Sequence, residues 1–230
     1  MGGRGHPFIT GAHESSRIGI SGDAVPGPSV GGMRILLIGA TGTLGAALHK
    51  ELPGRGHEVL TVARGGGELR YDVTDPAQVA AMYERAGRVD AVVSAAGHVP
   101  FKPVAEMTAE DYLDGFRGKV LCQIELVRQG LAYVAERGSF TLITGVLARE
   151  PIPAGSAASM ANGAIEAFAR AAAIEIAPRR INVVSPAVFT ESLTTYAPFF
   201  PGMPSVGLDQ VARAYVRSIE GAQTGQIYTL

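Results

Sequence analysis

Three observations predict an α/β fold built on one doubly wound parallel β-sheet with helices on both faces. Short apolar runs that suit strands buried on both sides alternate with helical patterns from residue 33 to residue 230. A glycine-spaced turn joins the first apolar run to the first helix. The 230 residues, 47% hydrophobic and only 18% charged, are enough for one core of α/β size.

The first strand is read at residues 34–38, and Gly39, Gly42 and Gly45 follow at three-residue spacing before the helical AALHKEL. Such a turn lets the backbone approach a pyrophosphate, and the next helix points unpaired N–H groups and its positive dipole end at the anion. The alternative is a turn that only packs a helix closely on a strand. Residues 57–63, HEVLTVA, are a second strand ending at Arg64, so strand, helix and strand make a parallel βαβ unit. Asp75 is an N-cap with Pro76 at the first helical position and Gln78 placed to close a capping box, for a helix running to about Ala86.

A strand at residues 89–94 ends in Ala95, Ala96 and Gly97, small residues that leave room for something to lie across its end. Thr108 and Asp111 open a helical region expected to continue to a stop near Gly138. A strand at 140–144, an alanine-rich helix at 157–177 stopped by Pro178 and a strand at 181–185 before Pro186 continue the alternation. An amphipathic helix at 209–220 and a strand at 226–230 close it. The Pro/Phe-rich run 196–204 reads as a mobile lid, and no fixed-period repeat interrupts the pattern.

A net charge of −1 without a Lys/Arg block gives no footprint for nucleic acid or an anionic membrane, so a small-molecule substrate is expected. One cysteine, Cys122, excludes an internal disulfide and a multi-cysteine metal site and suits a reducing cytoplasm. No histidine spacing converges on a metal and no G-x-S-x-G elbow is present. Residues 1–32, rich in Gly, Ser, Pro and His, read as a disordered extension without a signal-peptide or membrane segment. Because Met33 opens the first strand, that extension is read as a mis-assigned start or an expendable tail.

Five strings in order, GATGTLG, YDVTD, SAAG, INVVSPAVFTES and TGQIYTL, resemble the motifs of the short-chain dehydrogenase/reductase family over residues 33–230. The resemblance implies a Rossmann-type domain, a nicotinamide dinucleotide, a carbonyl or alcohol substrate, and a homodimer or homotetramer. Cofactor contacts are implied at Gly39, Thr41, Gly42, Thr43, Leu44 and Gly45 in the turn, and at Asp72 and Val73 beside the adenine. They are also implied at Ser94, Ala95, Ala96 and Gly97, and around the nicotinamide at Pro186, Ala187 and Val188, with Ala187 where a glycine is usual. Arg64 ends the second strand where NAD sites carry a carboxylate, which favours NADP(H) over NAD(H). A solvated loop arginine is the alternative.

The family's Asn, Ser and Tyr-x-x-x-Lys proton relay is missing. Aligning NGAIEAF puts Ala158 at the tyrosine position and Asn162 at the lysine position, with Thr144 or Gly145 at the serine and Lys119 at the asparagine. Reduction of a carbonyl leaves an alkoxide that needs a proton. His98, just beyond the SAAG strand end, is the first candidate donor because imidazoles exchange protons near neutrality, or else a loop histidine without consequence. Lys119, Thr144, Glu191 and Tyr196 are the other candidates. The expected function is an NADP(H)-dependent oxidoreductase with an atypical active site. The alternatives are an NADP(H)-binding protein without turnover, acting as sensor or scaffold, and a redox-neutral enzyme reusing the pocket.

Overall fold

The computed structural model describes residues 1–2 and 31–230, so the disorder expected for residues 1–32 concerns positions that lie almost wholly outside the described residues. The described chain is a seven-stranded sheet, every neighbouring pair parallel, flanked by helices on both faces as expected. In chain order the main elements are β1 (Arg34–Ile38), α1 (Thr43–Gly54), β2 (Glu58–Ala63), β3 (Leu69–Arg70), α2 (Pro76–Ala86) and β4 (Val89–Ser94). They continue with α3 (Ala109–Gly115), α4 (Cys122–Gly130), β5 (Val134–Ile143), α5 (Ser156–Glu175), β6 (Arg180–Ser185), α6 (Leu193–Tyr196), α7 (Leu208–Glu220) and β7 (Ile227–Thr229).

Strand alternation divides the core. Ile35 and Leu37 of β1 pack with Leu44, Leu48 and Leu52 of α1 and with Val211, Tyr215 and Ile219 of α7 on one face. Leu36 and Ile38 point the other way, into a layer with Val79 and Met82 of α2, Leu126 of α4 and Ile165 of α5. The spatial order β3-β2-β1-β4-β5-β6-β7 reverses direction between β1 and β4, which opens a crevice at the carboxyl ends of those two strands.

Three local expectations are corrected. The helical region opened by Thr108, which does form a capping box with Asp111, stops at Gly130 and not near Gly138. A Cβ at Gly130 would lie 2.6 Å from the Tyr83 hydroxyl and 2.7 Å from Phe140, so packing fixes the helix end. The chain then turns so that Tyr133 stacks on Tyr83 at 5.2 Å and Val134 already pairs with Val89. Gly138 lies in β5 where the register slips: Val89 faces Val134 and Ala91 faces Ser139, with Gly138 tight against the Asp90 carbonyl. The strand expected at 140–144 is therefore the second half of a longer one.

The capping box at α2 takes another form. Asp75 accepts from the Ala77 N–H at 2.9 Å, but the Gln78 carbonyl accepts from the Asp72 N–H, also at 2.9 Å, instead of from the N-cap backbone. The hydrogen bond thus ties the helix start to the end of the β3 segment. The third correction is β3 itself, a two-residue strand that sequence periodicity does not show, paired to β2 through Val62 with Leu69 and Ala63 with Arg70.

Candidate functional site

Because every strand is parallel, Gly39, Arg64, Ala95, Thr144 and Pro186 all emerge at one edge of the sheet. The glycine turn is held by Gly39 and Ala40, whose N–H groups both donate to the Val62 carbonyl at 2.8 and 3.2 Å. Gly39 has φ +80°, and a Cβ there would sit 2.9 Å from the Ala95 backbone. Gly45 lies directly against the Gly39 carbonyl, so a side chain there would lift α1 off the turn. Gly42 differs: its Cβ position meets only the Gly39 carbonyl at 3.4 Å, leaving its outer side open. It is also the N-cap of α1 with no side chain capping it and no acidic residue in the first turn. Thr41, Gly42 and Thr43 are exposed, whereas Leu44 and Gly45 are buried in the packing beneath. Free N–H groups at the start of a twelve-residue helix behind an open glycine suit a phosphate.

Arg64 follows β2 with its side chain 78% exposed and only a loose, 4.0 Å approach to Asp72. Asp72 is half-buried and accepts from the Thr74 N–H and hydroxyl, while Val73 is part of the core. Ser94 is fully buried; its carbonyl accepts from the Tyr215 hydroxyl at 2.7 Å and its own hydroxyl has no partner. Any ligand contact at this position falls to the adjoining backbone and to half-buried Ala95 and Ala96.

Beyond Gly97 the edge opens into a cavity of about 580 Å³ between residues 97–101, 144–154 and 186–200. His98, Lys119, Thr144, Ala158, Asn162 and Tyr196 all line it, as do Gly97, Pro186, Ala187 and Val188. Glu191 does not: its carboxylate accepts from the Leu208 N–H at 3.1 Å and so caps α7. The run 196–204 folds into short helical turns whose Tyr196, Phe199 and Phe200 form one wall.

Lys119 reaches the cavity through a distortion. Residues Phe116–Leu121 form a π-helical segment between α3 and α4, and its Gly118 carbonyl accepts from the His98 N–H at 3.1 Å. The Lys119 stem then runs past Gly97, where a Cβ would come within 3.0 Å of it. Burial pushes the Lys119 ammonium down to about 8. One turn on, burial pushes the Cys122 thiol up to about 11, and it donates to the Gly118 carbonyl at 3.3 Å, as an inert core residue does.

Ala158 and Asn162, which the sequence reading aligns with the family's tyrosine and lysine, are enclosed groups. Ala158 is 3% exposed and Asn162 2%. The Asn162 amide donates to the Gly145 carbonyl at 3.2 Å, while its carbonyl oxygen is buried without a partner. The Thr144 hydroxyl donates to Glu166 Oε1 at 3.2 Å, which commits its proton to a carboxylate. Glu166 and Arg149 escape notice in the sequence. Glu166 Oε1 also accepts from Ser185 Oγ at 3.0 Å and Arg149 Nη1 at 3.1 Å, tying together the ends of β5 and β6 and the loop between β5 and α5. The one available signal was a carboxylate one helical turn after Asn162 on an alanine-rich face that turns out to be buried.

Known proteins agree with this architecture. A family profile described as enoyl-(acyl carrier protein) reductase matches residues 45–216. The structure of protein lin1944 from Listeria innocua is similar at a TM-score of 0.84 and 45% identity, covering 86% of this chain and 99% of that one. A small-chain dehydrogenase in complex with NADPH is similar at a TM-score of 0.78 and 26% identity, over 86% of this chain and 96% of that one. Hydroxynaphthalene reductase-like protein Arp2 of Metarhizium majus is 26% identical over 218 residues, 81% of this chain and 82% of the relative. With its parallel sheet, its glycine turn at the β1–β4 crevice and a profile match over most of its length, the chain belongs to the short-chain dehydrogenase/reductase family.

Proposed function

We propose that the protein is an NADP(H)-dependent oxidoreductase with an atypical active site, acting on a small carbonyl or alcohol in the cavity beyond Gly97. The observation that carries this reading is placement: the open side of Gly42 and the cavity wall at Gly97 lie at the same end of the parallel sheet, where Gly39 packs on Ala95, two residues before Gly97. The residues present fit a dinucleotide. The uncapped start of α1 suits its pyrophosphate, exposed Arg64 suits a 2′-phosphate, and the unpartnered Asn162 carbonyl suits a ligand hydroxyl. A similar dehydrogenase binds NADPH, which supports the same cofactor here.

When bound, NADP(H) supplies or accepts a hydride. The chain's residues then have to manage the proton. His98, exposed on the loop after β4 and lining the cavity, gives a ring proton to the reduced carbonyl's oxygen and regains it from solvent. Thr144 is not the donor, its proton being committed to Glu166. Lys119 makes its end of the cavity cationic.

A second reading, cofactor binding without turnover, is favoured by the enclosed Ala158 and Asn162. Titration with NADPH and NADH, followed by a carbonyl panel assayed for NADPH oxidation, separates the two. Tight NADPH binding with turnover supports the first, binding without turnover of any carbonyl supports the second, and no binding overturns both. We also propose a homodimer or homotetramer through α5, whose Gly163, Ala167 and Ala171 are exposed beside Ile174 at 83% exposure. A monomer by light scattering at micromolar concentration would remove that proposal.

A further inference from the structure

The cavity walls and its charge do not match an ordinary neutral sugar or short aldehyde. Five of the lining residues are aromatic (Phe101, Phe189, Tyr196, Phe199 and Phe200), and Val146, Leu147 and Ile152 add aliphatic surface. Against this stands one fixed cation. Lys119 is the sole Lys or Arg among the lining residues, and no Asp or Glu lines the cavity with it. Among the described residues no carboxylate comes within 4.0 Å of its ammonium, although ten other basic side chains have such a partner. Arg149, between cavity-lining Leu147 and Ile152 in the chain, is already held by Glu166. A partly desolvated ammonium in an apolar cavity is costly until an anion completes it.

We infer that the cavity selects apolar ligands ending in a single oxyanion, a carboxylate or a phenolate, which Lys119 holds. This rests on the reading of the cavity as the substrate site and names the substrate class for it. Gly97 leaves room for the lysine stem, which a Cβ there would meet at 3.0 Å. One cation among apolar walls matches one negative charge; a phosphate dianion would be left half-neutralised. His98 remains the proton donor, so anchoring and protonation fall to different groups.

The test uses the full chain in a calorimeter with and without saturating NADPH. The probes are 2-naphthoate, its neutral isostere 2-naphthamide, a nitronaphthol ionised at the assay pH, and naphthyl phosphate. The expected result is that 2-naphthoate or the nitronaphtholate binds at least tenfold tighter than the amide and the phosphate. In Lys119→Met the advantage over the amide disappears while amide affinity stays within about twofold, and in Lys119→Arg it persists. The comparison among probes in the unmutated chain stands even if Lys119→Met fails to fold. Equal affinity for naphthoate and naphthamide overturns the inference, as does a preference that survives in Lys119→Met. Failure of the cofactor reading has a different signature, namely absent NADPH binding while naphthoate discrimination remains.

Discussion

The glycine turn and the cavity wall lie side by side on one sheet edge, yet they tolerate change very differently. At the turn, Gly39 and Gly45 are fixed by backbone: one by a left-handed φ against Ala95, the other by its contact with the Gly39 carbonyl. At the cavity wall, Ala158 and Asn162 are held by side-chain packing and one amide hydrogen bond. Backbone geometry leaves no substitute for glycine, whereas side-chain chemistry can be exchanged without disturbing the sheet. That difference supports the proposal of a retained cofactor half beside a replaced proton relay.

The largest effect should come from breaking the turn. Gly39→Val combines a β-branched residue at φ +80° with a clash on Ala95 and should cost at least about 2 kcal/mol of stability and abolish NADPH binding. Gly42→Val is the sharper half of the pair. With open space on its outer side, it should leave the urea midpoint nearly unchanged while lowering NADPH affinity more than tenfold. If Gly42→Val melted like Gly39→Val, the distinction between a packing glycine and a cofactor-facing glycine would fail.

The next test changes the cavity wall. Restoring Ala158→Tyr with Asn162→Lys would raise carbonyl reduction by ~10²–10⁴-fold if the site were merely degenerate, the usual worth of positioned acid–base groups. The expectation is the opposite. Ala158 is enclosed at 3% exposure, so a tyrosine ring must enter the cavity and displace a ligand. NADPH oxidation should fall and no new reductase activity should arise. A large gain at unchanged cofactor affinity would show that the pocket had only lost its relay.

These two regions also differ in how far they could be read from the sequence. The strand–turn–helix at Gly39–Gly45 is local, and its apolar run and glycine spacing give its structure directly. The end of α4 is set by contacts of Gly130 with Tyr83 and Phe140, far apart in the chain, so helical periodicity ran on past it. The π-helical segment that delivers Lys119 has no periodic signature because FRGKVL sits between two helical stretches. Nothing local in the sequence singles out Glu166; only the fold brings Arg149, Thr144 and Ser185 to it.

A smaller effect is expected at the adenine end. Arg64 is exposed and only loosely paired with Asp72, so Arg64→Ala should leave stability unchanged. A charge-assisted contact to a 2′-phosphate contributes on the order of 1.5–3 kcal/mol. The NADPH-over-NADH preference should accordingly fall roughly ten- to a hundredfold on titration. Equal affinities for the two cofactors in the unmutated protein would remove the phosphate role and leave Arg64 a solvated loop residue.

The smallest effect concerns pH and the cavity cation. Burial lowers the Lys119 ammonium from its ordinary 10.5 to about 8. Below pH 8 it is charged in both the folded and unfolded chain. Between about 8 and 10.5 the folded chain has released that proton while the unfolded chain still holds it, so the unfolded state binds more protons and this group's contribution to stability rises with pH. Cys122, the neighbouring thiol, is pushed up to about 11 and stays largely protonated through most of that window. Urea denaturation of the unmutated chain and Lys119→Met at pH 7 and pH 9.5 isolates the effect: the unmutated chain should gain on the variant at the higher pH. Because Lys119 keeps part of its surface accessible, the gain should be smaller than the full displacement implies. A difference that does not change with pH would mean that solvent reaches the ammonium freely, and the contrast between a backbone-fixed turn and a desolvated, cation-ended cavity would then lose its second term.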